Sequence, residues 1–326
     1  MIPVRKCAVI CCLKSLSTYP AMCKKVDIIV VNWNSGEKTL AAVKPYVNYK
    51  SSAIDCNVIV VDNASTDNSL LLFKNVIDKV IINDRNLGFG AACNQALNGC
   101  TGDYILLLNP DTISDPLVLE KLVLFLEKNR QYGITGPSQV DENGNVIRTC
   151  GRFPSFKTAF FQVLGLSKIF PKLFTPAPIM TDWDHLQSRD VDHVMGSYML
   201  IRRQVLSLTG FMDDEYFVYL EDIDLSKRFR NAGFKSFYNK ELSIYHECGG
   251  TGQKLRTYRL FYSLSSRRLY WKKHLGKANY LILTALSLTV EPILKILESL
   301  IVERDFRLIK TLKGYFMYFK NTVSFK

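Results

Sequence analysis

Four short apolar runs, each broken off by polar residues at its carboxyl end, constrain this chain more than any other feature. VDIIVV (26–31) runs into NWNSG, NVIVV (57–61) into DNAS, KVII (79–82) into ND, and YILLL (104–108) into NPD. Continuous apolar runs of this kind fit strands buried on both faces. The segments between them, 37–49, 67–77 and 90–99, have helical spacing. Strands alternating with short helices predict βαβ units and a mainly parallel sheet, whose ligands bind beyond the carboxyl ends of the strands. The polar clusters sit at those ends.

Further along, 116–129 opens with Pro116 and places apolar residues at 119, 122, 123 and 126, an amphipathic helix. QVDENGNVIR (139–148) holds an Asn-Gly turn inside an alternating pattern and predicts a β-hairpin. The stretch 153–190, rich in proline and aromatics, reads as a long loop with short helical pieces, a common place for substrate contacts.

The opening imitates a signal peptide, but its apolar core CAVICCL is only seven residues long and Lys14 follows it. A start at Met22 is the plainer account, and fold reasoning begins at Val26. The chain therefore divides into an N-terminal tail (1–25), a body (26–253) and a C-terminal helical region (254–326).

Composition narrows the class. With 326 residues, 48% of them hydrophobic and 22% charged, the chain is neither a disordered polymer, nor collagen-like, nor a polytopic membrane protein. The net charge of +12 splits into +5 for the tail, up to residue 25, −4 for 26–253 and +11 for 254–326. Only the last segment is built to face polyanions. Nine scattered cysteines without CxxC spacing read as reduced thiols, with no disulfide framework and no zinc cluster.

Five segments carry chemistry. Asp62 can accept a hydrogen bond from a pyrimidine imide, with Asn32 and Asn34 at the neighbouring strand end, although DNASTD also reads as a turn and helix cap. In NLGFGAACN (86–94) the glycines open a helix whose N-terminus favours a phosphate or a sugar, yet the pattern lacks the last glycine of a dinucleotide fingerprint. Asn109, Pro110 and Asp111 end a very apolar run, where one carboxylate can meet a divalent cation or simply shape a turn. Glu221, Asp222 and Asp224 crowd the first turn of a helix stopped by Gly233. A general base there would have its pKa raised by like charges and a dry cleft, against the helix dipole. His246 follows the strand-like ELSIYH and precedes a Gly-Gly loop.

In this order the segments resemble family-2 glycosyltransferases, in particular the bacterial rhamnosyltransferase-like branch. The motifs are VVNWN (30–34), VDNAS (61–65), NLGFGAACN (86–94), LLNPD (107–111), GSYMLIRR (196–203) and EDIDL (221–225). The resemblance implies an α/β fold of GT-A type, a mainly parallel Rossmann-like nucleotide-binding sheet flanked by helices, with the C-terminal helices as an appendage. It implies transfer of a sugar, rhamnose first, from a TDP- or UDP-sugar to a saccharide hydroxyl with inversion, in cell-surface polysaccharide or O-antigen synthesis. Asp222 would be the base, with Glu221 and Gly196 beside the acceptor. Asn32, Asn34, Asp62, Asn86, Gly88, Asn94 and Asn109 would bind the nucleotide sugar. Asp111 and His246 would hold Mg²⁺ or Mn²⁺, and Asn109 stands where the family's D-x-D element has its first aspartate.

A sugar-phosphate nucleotidylyltransferase would share the sheet, but NWNSGEK lacks the arginine of its phosphate loop. A nucleic-acid-binding protein would use the basic segment, but no recognition motif appears there. The segment 254–326 mixes cations with Tyr, Phe, Trp and Leu, and its longest uncharged run is thirteen residues. That is short of the roughly 20 needed to span a bilayer. Amphipathic helices on the anionic inner face of the cytoplasmic membrane, with a polyprenyl-linked acceptor, fit this pattern, as do ordinary helices packed on the body.

Overall fold

A computed structural model describes residues 23–247, 256–302 and 307–323, apart from Pro171 and Pro176. The targeting reading of the first residues, the loop after Glu247 and the boundary at residue 253 lie outside the described residues.

The expected alternation is present. Strands β1 (Lys24–Asn32), β2 (Ile54–Asp62), β3 (Lys79–Ile82) and β4 (Tyr104–Leu108) are separated by helices α1 (Gly36–Val43), α2 (Ser69–Phe73) and α3 (Phe89–Leu97). All four strands run parallel, in the order β3, β2, β1, β4. Burial on both faces explains their unbroken apolar sequence. Ile28 and Val30 pack on one side with α1, while Ile29 packs on the other with Ala92, Cys93 and Ala96 of α3.

Beyond β4 come β5 (Thr112–Ile113), α4 (Pro116–Lys128) and β6 (Tyr132–Val140). Asp115 caps α4 by accepting from Leu117 N at 2.8 Å, and Leu119, Leu122, Val123 and Leu126 form its buried stripe, as the spacing predicts. The Asn-Gly hairpin joins β6 to β7 (Val146–Ile147). After β8 (Cys150–Gly151), the poorly patterned stretch carries α5 (Phe156–Val163) and α6 (Leu166–Ile169). Next follow β9 (Arg189–Val191), β10 (His193–Val194), β11 (Tyr198–Arg202), α7 (Leu206–Thr209), α8 (Glu221–Asn231) and β12 (Lys235–His246). Strand β11 inserts antiparallel between β4 and β6, and β12 lies parallel to β6, so the sheet is mixed but mainly parallel.

Helices α9 (Arg256–His274), α10 (Lys277–Val302) and α11 (Arg307–Val323) complete the chain. They are packed against the body. Tyr270 and Trp271 of α9 and Leu283 of α10 are fully buried with Val163 of α5, Tyr216 and Ile223. A buried aromatic of this size stabilises by about 1.5–3 kcal/mol, so α9 holds α5 and α8 in place.

The expectation that apolar runs here are too short to span needs correction. Lys277–Glu298 is long and apolar enough to cross a bilayer by length and composition, and is 17% buried. Counting only uncharged residues missed this, because Glu291 interrupts the run yet is buried and paired with Arg267 at 2.7 Å. The five described cysteines are free, and burial pushes the Cys56 and Cys100 thiols up to about 12.

Candidate active site

Parallel register aligns the strand ends, and with them the polar clusters. Asn32 lies beside Asp62. Its amide donates to Asp62 Oδ2 at 2.7 Å and to Ser65 Oγ at 3.0 Å, and its oxygen accepts from Thr39 at 2.6 Å. Fully buried and saturated, Asn32 orients Asp62 from beneath. Asp62 also accepts from Ser65 N at 2.9 Å, so DNAS forms the expected turn, but it does not cap the next helix, since α2 starts at Ser69 after Asn68, which makes no side-chain cap bond. Asn34, at a φ of 52°, accepts from Thr66 N at 2.7 Å and pins the loop after β2.

Asn63, which the motif reading passed over, organises the third cluster. Its amide donates to Asn86 Oδ1 and the Gly88 carbonyl, and its oxygen accepts from Asn83 at 2.9 Å. Gly88 has a φ of +89°, and a Cβ there would lie 2.3 Å from the Phe217 carbonyl. The glycine is therefore required by close packing against the loop that precedes α8. Asn94 was expected on diphosphate or sugar, but its amide is engaged at both ends by the backbone of Met212, donating at 2.8 Å and accepting at 3.1 Å. Together Trp33, Asn63, Asn86 and Gly88 line a cavity of about 630 Å³. Helix α9 roofs it with Tyr258, Arg259 and Tyr262, and Tyr262 stacks on Phe217 at 4.4 Å.

Next to it lies a cleft of about 380 Å³ lined by Asn109, Gly196, Glu221 and Asp222. Tyr219 and Leu220, both in the left-handed region at φ 71° and 67°, turn the chain sharply into α8. Such residues cost about 1–3 kcal/mol each and are kept where the site needs them. The turn brings Asp222 Oδ2 to within 3.0 Å of Gly196 N, which donates to it, while Oδ1 accepts from Ile223 N at 2.8 Å. A Cβ on Gly196 would sit 3.1 Å from Asp222 Oδ2, so only a glycine fits easily.

Three of the four histidines in the chain each face a carboxylate. His193 Nε2 lies 3.4 Å from Asp222 Oδ2, with Nδ1 3.1 Å from Ser226 Oγ. His274 of α9 lies 2.7 Å from Asp224, which also pairs with Arg228 at 2.7 Å. His246 Nε2 lies 3.2 Å from Asp111 Oδ1. His193 and His274 were missing from the motif reading, and nothing in their local sequence marks them.

These contacts reverse one expectation. Burial pushes the Asp222 carboxyl up, but the His193 charge and hydrogen bond and the two backbone N–H groups more than offset it, holding it below the usual carboxylate range. The upward shift falls on Glu221 instead. Its burial, and then the Asp222 charge, raise it well above the ordinary value, and its Oε2 has no hydrogen-bond partner. The two neighbouring carboxyls are thus pushed apart, Asp222 down and Glu221 up.

Asp111 follows the same logic as Asp222. Burial raises its carboxyl, while the His246 hydrogen bond and charge win and lower it. An ionised oxygen and an imidazole nitrogen 3.2 Å apart match neighbouring positions on a six-coordinate ion with bonds near 2.1 Å. Among the described residues no group of three or more His, Cys, Asp or Glu could hold a metal. Two protein ligands suit an ion that is also held by substrate oxygens. A separate cavity of about 570 Å³, near Lys24, Glu127 and Arg202, lies at the opposite ends of the strands, away from these groups.

The family model described as glycosyl transferase family 2 matches residues 27–208. An N-acetylglucosaminyl-diphospho-decaprenol L-rhamnosyltransferase of Mycobacterium tuberculosis is 27% identical over 60% of this chain and 68% of its own. The rhamnosyltransferase WbbL of Escherichia coli is 31% identical over 42% of this chain and 49% of its own. Among solved structures, a mannosyltransferase from Pyrobaculum calidifontis in complex with GDP-Man and Mn²⁺ superposes with a TM-score of 0.54 at 15% identity, covering 94% of this chain and 89% of that one. Staphylococcus aureus TarS 1–349 gives 0.51 at 14% identity, over 91% and 80%. The fold is therefore GT-A, and the chain belongs to glycosyl transferase family 2.

Proposed function

We propose that the protein transfers rhamnose, with inversion, from a TDP- or UDP-linked donor to a hydroxyl of a lipid-linked saccharide at the inner face of the cytoplasmic membrane. The observation that carries the chemistry is the Asp222 carboxylate, held by Gly196 N and His193 at the cleft wall, its carboxyl lowered while that of its neighbour Glu221 is raised.

An acceptor hydroxyl in the cleft would give its proton to Asp222 as its oxygen attacks the anomeric carbon, and the nucleoside diphosphate leaves from the opposite side. The carboxyls lining the cleft are Glu221 and Asp222. With Asp222 taking the proton and forming no bond to the sugar, the transfer is a single displacement and inverts the anomeric carbon.

The donor would occupy the adjoining cavity, which Asn86 and Gly88 line. Asp62 would receive the imide of a pyrimidine, Asn34 and Asn86 edge the nucleotide, and Asn32 and Asn94 position these loops from behind. Asp111 and His246 would hold Mg²⁺ or Mn²⁺, which supplies positive charge against the donor diphosphate. The decaprenol-linked acceptor named for the mycobacterial relative supports a lipid-linked saccharide here, and with it a role in cell-surface polysaccharide synthesis.

A donor panel tests the reading. With Mn²⁺ present, acceptor-dependent release of TDP or UDP is expected, and NMR of the product should show the anomeric configuration opposite to that of the donor. Retained configuration would overturn the single displacement, and release confined to other nucleotides would overturn the donor.

A further inference from the structure

The cleft at Asp222 does not end there. It shares Gln162, Pro178, Ile179 and Arg267 with a second cavity of about 890 Å³ that opens between α5, α6 and α10. Moving outward, the lining changes in a definite order. Carboxyls come first, at Glu221 and Asp222. A guanidinium follows at the junction, Arg267, which is 9% exposed. A wall with Val163, Leu164, Ile169 and Leu294 comes last. The mouth is edged by the apolar side chain of Ile169, which is 65% exposed. Lys168 and Lys295, both engaged with Glu298, stand at the same rim.

Arg267 is the group that ordinary packing leaves incomplete. Its Nη2 donates to both Glu291 oxygens, at 2.9 and 2.7 Å, while its Nε is buried with no hydrogen-bond partner. A charged donor left unpaired at that depth is costly unless something arrives to accept from it.

We propose that this second cavity is the lipid arm of the acceptor site: it takes the first isoprene units of a polyprenyl-diphosphate-linked saccharide, whose diphosphate passes Arg267 and Gln162 and whose sugar reaches Asp222. The order sugar, diphosphate, isoprenoid along such a molecule matches the order carboxylate, guanidinium, apolar wall along the passage. This rests on the lipid-linked reading of the acceptor given above. The apolar rim continues the path into the bilayer, so the lipid tail need not leave the hydrocarbon.

The test uses the full chain and a short isoprenoid diphosphate carrying a benzophenone at its distal end. Photolysis should label 162–181 and 291–298, and unlabelled polyprenyl diphosphate should compete, whereas phospholipid should not. Leu294→Trp, which fills the passage, should raise KM for a long-chain lipid-linked acceptor at least tenfold. It should leave KM for the donor, and for a tail-less acceptor glycoside, within twofold. Replacing the buried pair as a unit, Arg267→Met with Glu291→Leu, avoids a stranded charge and should weaken binding of diphosphate-bearing acceptors alone. Labelling on the outer face of α11, competition by phospholipid, or an unchanged long-chain KM in both variants would overturn the passage. If the wild-type protein turns over lipid-linked acceptors while labelling elsewhere, only the passage falls. If it glycosylates soluble saccharides and no lipid-linked one, the acceptor reading falls and the passage goes with it.

Discussion

Adjacent acids at 221 and 222 are shifted in opposite directions by what surrounds each. Asp222 faces His193 and two backbone N–H groups, whereas Glu221 faces apolar packing and the charge of Asp222. Glu221→Gln should therefore keep the fold and most of the turnover, since glutamine has the same shape and carries no charge for burial to penalise. The pH dependence separates them further. A carboxyl whose folded pKa is raised contributes stability that is complete below its unfolded value, near 4.3, and is lost as pH rises toward the folded one. The wild type should thus lose thermal stability relative to Glu221→Gln as pH rises above that value, the gap between their melting temperatures widening with pH. Equal slopes in the two proteins would show that Glu221 is ionised. His193 makes the complementary prediction. His193→Gln removes the charge and hydrogen bond that lower Asp222, so the acid limb of kcat/KM should move to higher pH. An unmoved limb with a uniformly lower rate would reduce His193 to packing.

At the scale of elements, one loop and one helix tie the motifs together. The loop 211–220 is clasped by Gly88 and Asn94 from α3 and by Ser266 and Lys273 from α9. Gly88→Ala puts a methyl against the Phe217 carbonyl at a positive φ, for a cost of about 2–4 kcal/mol. Weaker donor binding should accompany the lower Tm, because the same loop walls the donor cavity. His274→Ala should destabilise by about 1–3 kcal/mol, since Asp224 keeps Arg228 but loses its other partner. The Asp224 pKa is lowered, with burial opposed by His274 and Arg228, so its stabilising contribution is present above the unfolded value and lost as pH falls through the folded one. The variant should acid-unfold at a higher pH, as followed by circular dichroism.

The same elements show what could be read in advance. Strands β1 to β4 were legible because burial on both faces leaves an unbroken apolar signature, and α4 because its stripe and cap are local. The insertion of β11 antiparallel between β4 and β6 was not, since strand order depends on packing across the whole sheet. Asp111 and His246 were marked by abrupt polar endings on strand-like runs, and Asp222 by acids crowded into the first turn of a helix. His193 and His274 act on carboxylates far along the chain, so no local pattern announces them. The direction of the Asp222 shift was misread for the same reason: His193 is invisible until β10 and α8 meet.

Across the whole molecule the basic region is both structural and outward-facing. Helix α9 closes over the donor cavity and buries Trp271, so cutting the chain near residue 253 would dismantle the site it is meant to spare. Surface changes are the cleaner probe of membrane binding. On α11, Leu312, Phe316 and Phe319 are 45%, 68% and 51% exposed in a basic helix. Phe316→Glu with Phe319→Glu should reduce sedimentation with anionic vesicles and leave turnover of a soluble acceptor unchanged. Each cation near an anionic surface contributes about 1 kcal/mol, so wild-type binding should also weaken at high salt. Equal, salt-insensitive partitioning of both proteins would assign the region to packing alone. The central claim, that Asp222 is the base of an inverting sugar transfer, is tested most directly by comparing Asp222→Asn with wild type for both donor binding and acceptor-dependent nucleoside diphosphate release. Donor affinity should stay within a few-fold while release falls by at least about a thousandfold, because the base acts on the acceptor. A variant that keeps most of its turnover would contradict the account.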